Sequence, residues 1–157
     1  MRLDSDVWLP RPLDEVFAFF ADAANLEALT PAWLHFRIRT PPPIAMRSGT
    51  LIDYSIRVHG LPISWQSEIS VWDPPHRFVD VQRRGPYRRW EHTHAFAAVE
   101  GGTRVTDAVD FDVPLSFLAG RFVRRDVEKI FAFRREALLR RFGPHEQMEG
   151  TGSTRRN

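Results

Sequence analysis

His92 and His94 stand two residues apart in RWEHTHAFAAV (89–99), a segment whose apolar and polar residues alternate. On a strand, positions i and i+2 point the same way, about 7 Å apart. Two imidazoles on one face can move protons near neutral pH or ligate a metal. Asp107, in the next alternating segment TRVTDAVDFDV (103–113), is the carboxylate that would accompany them. A two-residue turn at Gly101-Gly102 sets Glu100 opposite Thr103. Phe96 then opposes Asp107, His94 opposes Val109 and His92 opposes Phe111, which leaves Asp107 diagonal to His94. Trp90, His92, His94, Phe96, Val105, Asp107, Val109 and Phe111 share the inward face, and Glu91, Thr93, Arg104, Thr106 and Asp110 share a solvated one.

Two histidines and one carboxylate are the composition of a metal set. The pattern is short and matches by accident often, and histidines bonded to Asp107, Asp80 or backbone shape a pocket without an ion, so no metal is assigned. If the chain is an enzyme, His92 or His94 is the acid or base, Asp107 orients it, and Tyr54 donates a hydrogen bond. A turn at Gly60-Leu61 pairs Val58 with Ile63, Ile56 with Trp65 and Tyr54 with Ser67 on one face. A three-residue loop at Gly85-Pro86-Tyr87 sets Gln82 opposite Trp90 and Asp80 opposite His92, whereas a two-residue loop turns Val79 and Val81 inward.

The elements that position these groups are readable in order. A strand at LDSDVWL leads past Pro10 to a helix opened by Pro12, with Asp14 and Glu15 in its first turn. Asn25 is the expected cap of a short helical turn, LEAL, that stops at Pro31. Strand-like segments follow at 34–40, 50–59, 63–72, 77–84, 89–99 and 103–113, separated by short turn signals, so successive strands pair antiparallel. Apolar residues from Phe122 to Leu138 recur at helical spacing, with Ser116 as the expected cap and Gly143-Pro144 as the stop. The arginines at 124, 125, 134, 135, 140 and 141 read as that helix's exposed face. Residues 1–142 form the expected folded unit, and the polar tail 143–157 is expected to be disordered.

Composition narrows the function classes. The chain has 157 residues and no cysteine, which removes disulfides, thiolate metal sites and cysteine nucleophiles. Its 22 basic and 20 acidic residues leave a net charge of +2, against a dedicated nucleic-acid partner. No phosphate-cradling glycine loop and no serine elbow occurs, and no cofactor is expected. No apolar run suits a signal peptide or a membrane span, so a cytoplasmic location is expected. Nothing in charge or patterning specifies an oligomeric state.

The segment VWLPRPLDEVFAFFADAANLEALTP, the WDPPHRF turn and the block DVQRRGPYRRWEHTHAFAAVEGGTRVTDAVDFDVP resemble the START-like SRPBCC superfamily, in particular a bacterial ligand-binding subgroup. Its members include lipid-transfer domains, plant allergen and hormone-binding proteins, aromatase/cyclases and coenzyme-Q-binding proteins. The resemblance covers residues 1–142. It implies an α+β helix-grip fold: a curved, antiparallel seven-stranded sheet wrapped on a long C-terminal helix, with two short helices after the first strand. It also implies an internal cavity for a hydrophobic small molecule. The ligand-binding candidates are Tyr54, Trp65, Asp80, Gln82, Trp90, His92, His94, Phe96, Asp107, Phe111 and Ile130. The expected function is binding or transport of a lipid, polyketide-like or aromatic molecule. The alternatives are a polyketide cyclase/dehydratase-type enzyme using a cavity histidine, with His92, His94 and Asp107 catalytic, and a regulatory partner protein without an enduring ligand.

Overall fold

Two hairpin turns set the register of the sheet. His59 and Gly60 have φ of 50° and 82°, and Glu100 and Gly101 have 49° and 74°. Paired positive φ values are the type I′ geometry, whose twist matches that of the flanking strands. Each turn therefore lies one residue earlier than the expected Gly60-Leu61 and Gly101-Gly102. The registers move by two as a result: Val58 pairs with Leu61, Ile56 with Ile63 and Tyr54 with Trp65. On the other hairpin Phe96 pairs with Val105, His94 with Asp107 and His92 with Val109. An even shift keeps every side chain on its face. What changes is adjacency, because Asp107 stands directly opposite His94 rather than diagonal to it.

The computed structural model describes residues 1–114 and 116–143, without the side chains of 116–119. The Ser116 side chain, expected to cap the last helix, lies outside the described residues, as does the tail from 144 onward. The strands are β1 (Arg2–Leu9), β2 (Arg37–Ile38), β3 (Leu51–Val58), β4 (Leu61–Asp73), β5 (Arg77–Arg84), β6 (Arg89–Val99) and β7 (Gly102–Asp112). They form one antiparallel sheet in the order β1-β7-β6-β5-β4-β3-β2. The edge strand β1 leaves Arg2, Asp4 and Asp6 exposed on alternate positions. Helix α1 is Leu13–Ala21 and helix α2 is Ser116–Phe142. This is the helix-grip α+β architecture. Among the described residues no helix is long and apolar enough to cross a membrane.

Two local expectations are corrected and one open alternative is resolved. The strand expected over 34–40 shrinks to Arg37–Ile38, because Ala32–Leu34 is a 3-10 turn closed by His35 at φ 46°. The segment after α1 is a 3-10 helix, Ala23–Leu29, capped by Asp22, whose carboxylate accepts from the Ala24 N–H at 2.9 Å. Asn25 does not cap it and instead donates from Nδ2 to the Phe19 carbonyl at 2.9 Å. The Gly85-Pro86-Tyr87 loop follows the three-residue alternative, with Asp80 opposite His92 and Val81 opposite Glu91.

The core divides along α2. At its C-terminal half Leu138 and Phe142 pack with Val7, Leu9, Val16, Phe17, Phe20 and Phe96. Further back, Val127 and Phe131 pack with Val109 and Phe111. Gly102 opens β7 against Leu9, where an added Cβ would lie 2.4 Å from the Leu9 carbonyl oxygen and 2.7 Å from the Trp8 ring. Both neighbours are fixed, since Leu9 is backbone and the Trp8 indole donates to the Val99 carbonyl at 3.0 Å. The expected outcome for Gly102→Ala is a loss of about 1–3 kcal/mol, the range for overpacking. Thermal unfolding followed by circular dichroism checks it, and an unchanged Tm counts against the crowding argument.

Candidate functional site

A cavity of about 390 Å³ lies between the sheet and α2. Its wall is apolar over most of its extent, formed by Leu34, Phe36 and Ile52, by Ile56 and Trp65 from the sheet, and by Ile130 and Phe131 from α2. Tyr54 stacks on Trp65 with ring centroids 5.7 Å apart, and Trp65 meets Trp90 edge-on at 5.4 Å. The Trp65 indole donates to the Ser67 hydroxyl at 3.1 Å, and Tyr54 Oη lies 3.3 Å from the same oxygen. Burial, reinforced by the Asp80 charge, holds the Tyr54 phenol well above its ordinary pKa, so it remains a hydrogen-bond donor. Burial also pushes Tyr87 up to about 12. At one end Asp126 reaches out to His59 Nε2 at 2.8 Å, tying α2 to the tip of the β3–β4 hairpin.

The polar end of the cavity is built by β5, β6, β7 and α2. Asp107 Oδ1 lies 3.0 Å from His92 Nε2 and 2.8 Å from His94 Nδ1. Asp80 Oδ2 lies 3.1 Å from His94 Nε2 and 3.6 Å from His92 Nδ1. The two imidazole centroids are 3.7 Å apart, much closer than ideal strand spacing, and His94 stacks on Phe78 at 4.1 Å. Arg134 of α2 completes the group, with Nε 3.4 Å from Asp107 Oδ2 and Nη2 3.2 Å from His94 Nδ1. Thus His94 Nδ1 meets a donor and an acceptor. Without a hydrogen it accepts from Arg134 but faces a carboxylate oxygen at 2.8 Å; with one, it donates to that oxygen.

Burial governs the electrostatics. It opposes the charged form of Asp107, but the Arg134 charge and the bonds from both histidines outweigh it and hold Asp107 well below its ordinary pKa. Burial likewise opposes ionisation of Asp80, and the His94 bond with the nearby cationic charge lowers its pKa on balance. For His92 burial wins, helped by repulsion from His94, and its pKa falls to about 4 despite the two carboxylates. His92 is therefore a neutral imidazole at pH 7.

Of the residues expected in the site, Tyr54, Trp65, Asp80, Trp90, His92, His94 and Ile130 line the cavity. Gln82 does not: its amide clamps the neighbouring loop, donating to the Tyr87 carbonyl at 2.7 Å and accepting from the Tyr87 N–H at 3.2 Å. Phe96 and Phe111 share the inward face but are consumed by the two core clusters. Asp107 sits behind the histidines, 3% exposed. The largest correction concerns Arg134, which is 7% exposed and points inward rather than to solvent. Its signal was spacing: it falls in the series Val127, Phe131, Arg134, Leu138, at helical intervals on the buried stripe.

The family model described as "Polyketide cyclase / dehydrase and lipid transport" matches residues 9–135. The chain belongs to that family and has its START-like SRPBCC fold. The Zhui aromatase/cyclase from Streptomyces sp. R1128 superposes with a TM-score of 0.72 at 16% identity, covering 90% of this chain and 92% of that one. Protein CV1439 from Chromobacterium violaceum gives 0.71 at 14% identity, covering 91% and 97%. TTHA0849 from Thermus thermophilus gives 0.64 at 21% identity, covering 90% and 99%. A comparison of the sequence with curated proteins gives no match.

Two outcomes follow from the buried charges. Arg134→Met leaves Asp107 without its cationic partner and is expected to cost about 3–5 kcal/mol in denaturant unfolding. The pH dependence has two windows. Between about 6.5 and about 4 the unfolded chain protonates His92 and the folded chain does not, so stability falls by on the order of 3 kcal/mol as pH drops. Below about 3.8 the stability supplied by ionised Asp80 and Asp107 is lost in turn. Unfolding free energies measured across pH in buffer free of divalent cations test this. His92→Asn flattens the upper window, and a wild-type profile that is already flat there contradicts the assignment.

Proposed function

We propose that this protein binds and carries a hydrophobic small molecule, of lipid, polyketide-like or aromatic type, inside the cavity between the sheet and α2. The observation that carries the reading is the cavity itself, with its apolar wall and its polar groups gathered at one end. A volume near 390 Å³ falls in the range of small-molecule sites, about 300–1,000 Å³, and this division of wall and anchor is usual for them. Tyr54, Trp65, Trp90 and Ile130 supply contact area for the ligand. Asp80, His92 and His94 meet its polar end, with Asp107 and Arg134 holding the histidines in place.

A second reading, an enzyme of the polyketide cyclase/dehydratase type, is favoured by the exposure of both histidines to the cavity rather than to the core. Magnitudes place it behind the carrier. An efficient general base has a pKa near working pH, and His92 at about 4 is a weak base at neutrality. Three of the four ring nitrogens also have a partner within 3.1 Å in the cluster, which leaves His92 Nδ1, 3.6 Å from Asp80, as the nitrogen open to a substrate.

Native mass spectrometry of the freshly purified chain, followed by thermal-shift titration with fatty acids and polycyclic aromatic acids, tests the carrier. A ligand at 100 times its Kd raises stability by about 2.7 kcal/mol. Ile130→Trp, which narrows the cavity from α2, is expected to reduce that shift and leave the fold intact. A folded Ile130→Trp variant that binds as wild type overturns the location, and a chain stabilised by no member of the panel overturns the function. Replacing His92 and His94 together by Asn separates the two readings, since a carrier retains most affinity whereas an enzyme binds and no longer turns over.

A further inference from the structure

We propose that Asp80, His92 and His94 form a binding site for a divalent transition-metal ion at the polar end of the cavity, with Asp107 as the carboxylate that positions both histidines. The inference goes beyond the carrier reading and does not need an organic ligand. It rests on three features of the cluster.

The first is spacing. Nitrogen and oxygen donors bound about 2.0–2.2 Å from an ion, at angles between tetrahedral and octahedral, lie about 2.8–3.6 Å from one another. Asp80 Oδ2 lies 3.1 Å from His94 Nε2 and 3.6 Å from His92 Nδ1. Asp80, His92 and His94 each offer a ligand atom within 4.8 Å of those of the other two. They come from adjacent strands, so the sheet holds the separation without help from a loop.

The second is the fate of the other two ring nitrogens. An ion takes the lone pairs of His92 Nδ1 and His94 Nε2, which fixes the hydrogens on His92 Nε2 and His94 Nδ1. Both then point at one oxygen, Asp107 Oδ1, at 3.0 and 2.8 Å. Ligating histidines usually donate their second N–H to a carboxylate, and here one carboxylate serves both. With that hydrogen in place His94 Nδ1 no longer faces a carboxylate oxygen bare across 2.8 Å, and Arg134 Nη2, 3.2 Å away, has to turn its hydrogen from that nitrogen. On binding, the single ring hydrogen of a neutral His94 sits on Nδ1 rather than Nε2, and the ion takes the place between Nε2 and Asp80.

The third is charge and access. Arg134 lies on the Asp107 side of His94, away from the three donor atoms, and offsets the Asp107 charge while the ion offsets Asp80. Asp80, His92 and His94 all line the cavity, so the remaining coordination positions face the apolar space. Two imidazoles and one carboxylate suit zinc, cobalt(II) or iron(II) rather than calcium or magnesium. An occupant with an oxygen donor at its polar end would complete the coordination.

The test uses the full chain, dialysed against a chelator and then freed of it, with zinc and cobalt(II) as probes. Expected are binding of one ion per chain by calorimetry and visible cobalt bands. Asp80→Asn removes a ligand and weakens binding by more than about 100-fold, whereas Asp107→Asn weakens it by about 10- to 100-fold, the range for positioning residues. His35→Gln/His59→Gln/His76→Gln, which changes three exposed histidines outside the cluster, leaves binding unchanged. Anomalous scattering from a zinc-soaked wild-type crystal locates the ion even where a variant does not fold. An ion found elsewhere, binding that survives Asp80→Asn, or no binding at all overturns the proposal. Because no organic molecule enters the titration, its failure leaves the carrier reading standing, and failure of the ligand panel leaves this one standing.

Discussion

One buried carboxylate holds three pieces of this fold together. Asp107 is on β7, receives both histidines of β6, and faces Arg134 of α2. Taking that many ionisable groups out of water costs several kcal/mol per ion, and the cost is offset only where each charge has close, well-directed partners. Asp107 has three nitrogens at 2.8 to 3.4 Å around its two oxygens, of which Arg134 Nε stands near in charge without a directed hydrogen bond. Sliding β6 against β7, or turning α2 about its axis, would strand a charge in an apolar interior. The cluster therefore specifies how helix and sheet meet more sharply than the aliphatic contacts alongside it, which tolerate repacking.

The hollow and the packed core are two uses of one face. Toward the C-terminal end of α2, rings close on each other: Phe17 on Phe96 at 5.3 Å and Phe20 on Phe96 at 4.9 Å. Phe20 also stands between this packed region and the cluster, with the Arg134 guanidinium 5.1 Å from its ring centre. Beyond it α2 and the sheet stand apart, and the 3-10 segments after α1 cover the gap with Leu29 and Leu34.

Sequence alternation was enough to identify the strands and the inward face, because period 2 survives any even error in register. It was not enough to fix the turns. The glycines suggest turns at Gly60-Leu61 and Gly101-Gly102, whereas the chain turns at His59-Gly60 and Glu100-Gly101, with the glycine second. The cost of that one-residue displacement was the direct opposition of Asp107 and His94, the central contact of the site. Arg134 was missed for a different reason: as one of many arginines on a basic helix it looked solvated, although its spacing put it on the buried stripe. Phe96 and Phe111 were assigned to a pocket they face only in direction, since alternation reports a face and not whether that face is filled. The strand expected at 34–40 failed where His35 takes a left-handed conformation that no residue there announces.

An open sheet has rims, and β1 is one of them. Unpaired amides along a rim invite another extended chain to add itself, the first step toward stacked aggregates. Here Arg2, Asp4 and Asp6 occupy alternate positions of that strand, with Arg2 bridging to Asp4 at 2.9 Å and to Asp110 of the neighbouring strand at 3.1 Å. A newcomer docking alongside would have to dehydrate this row of charges. That rim of the sheet is thus guarded by charge against the addition of a second copy.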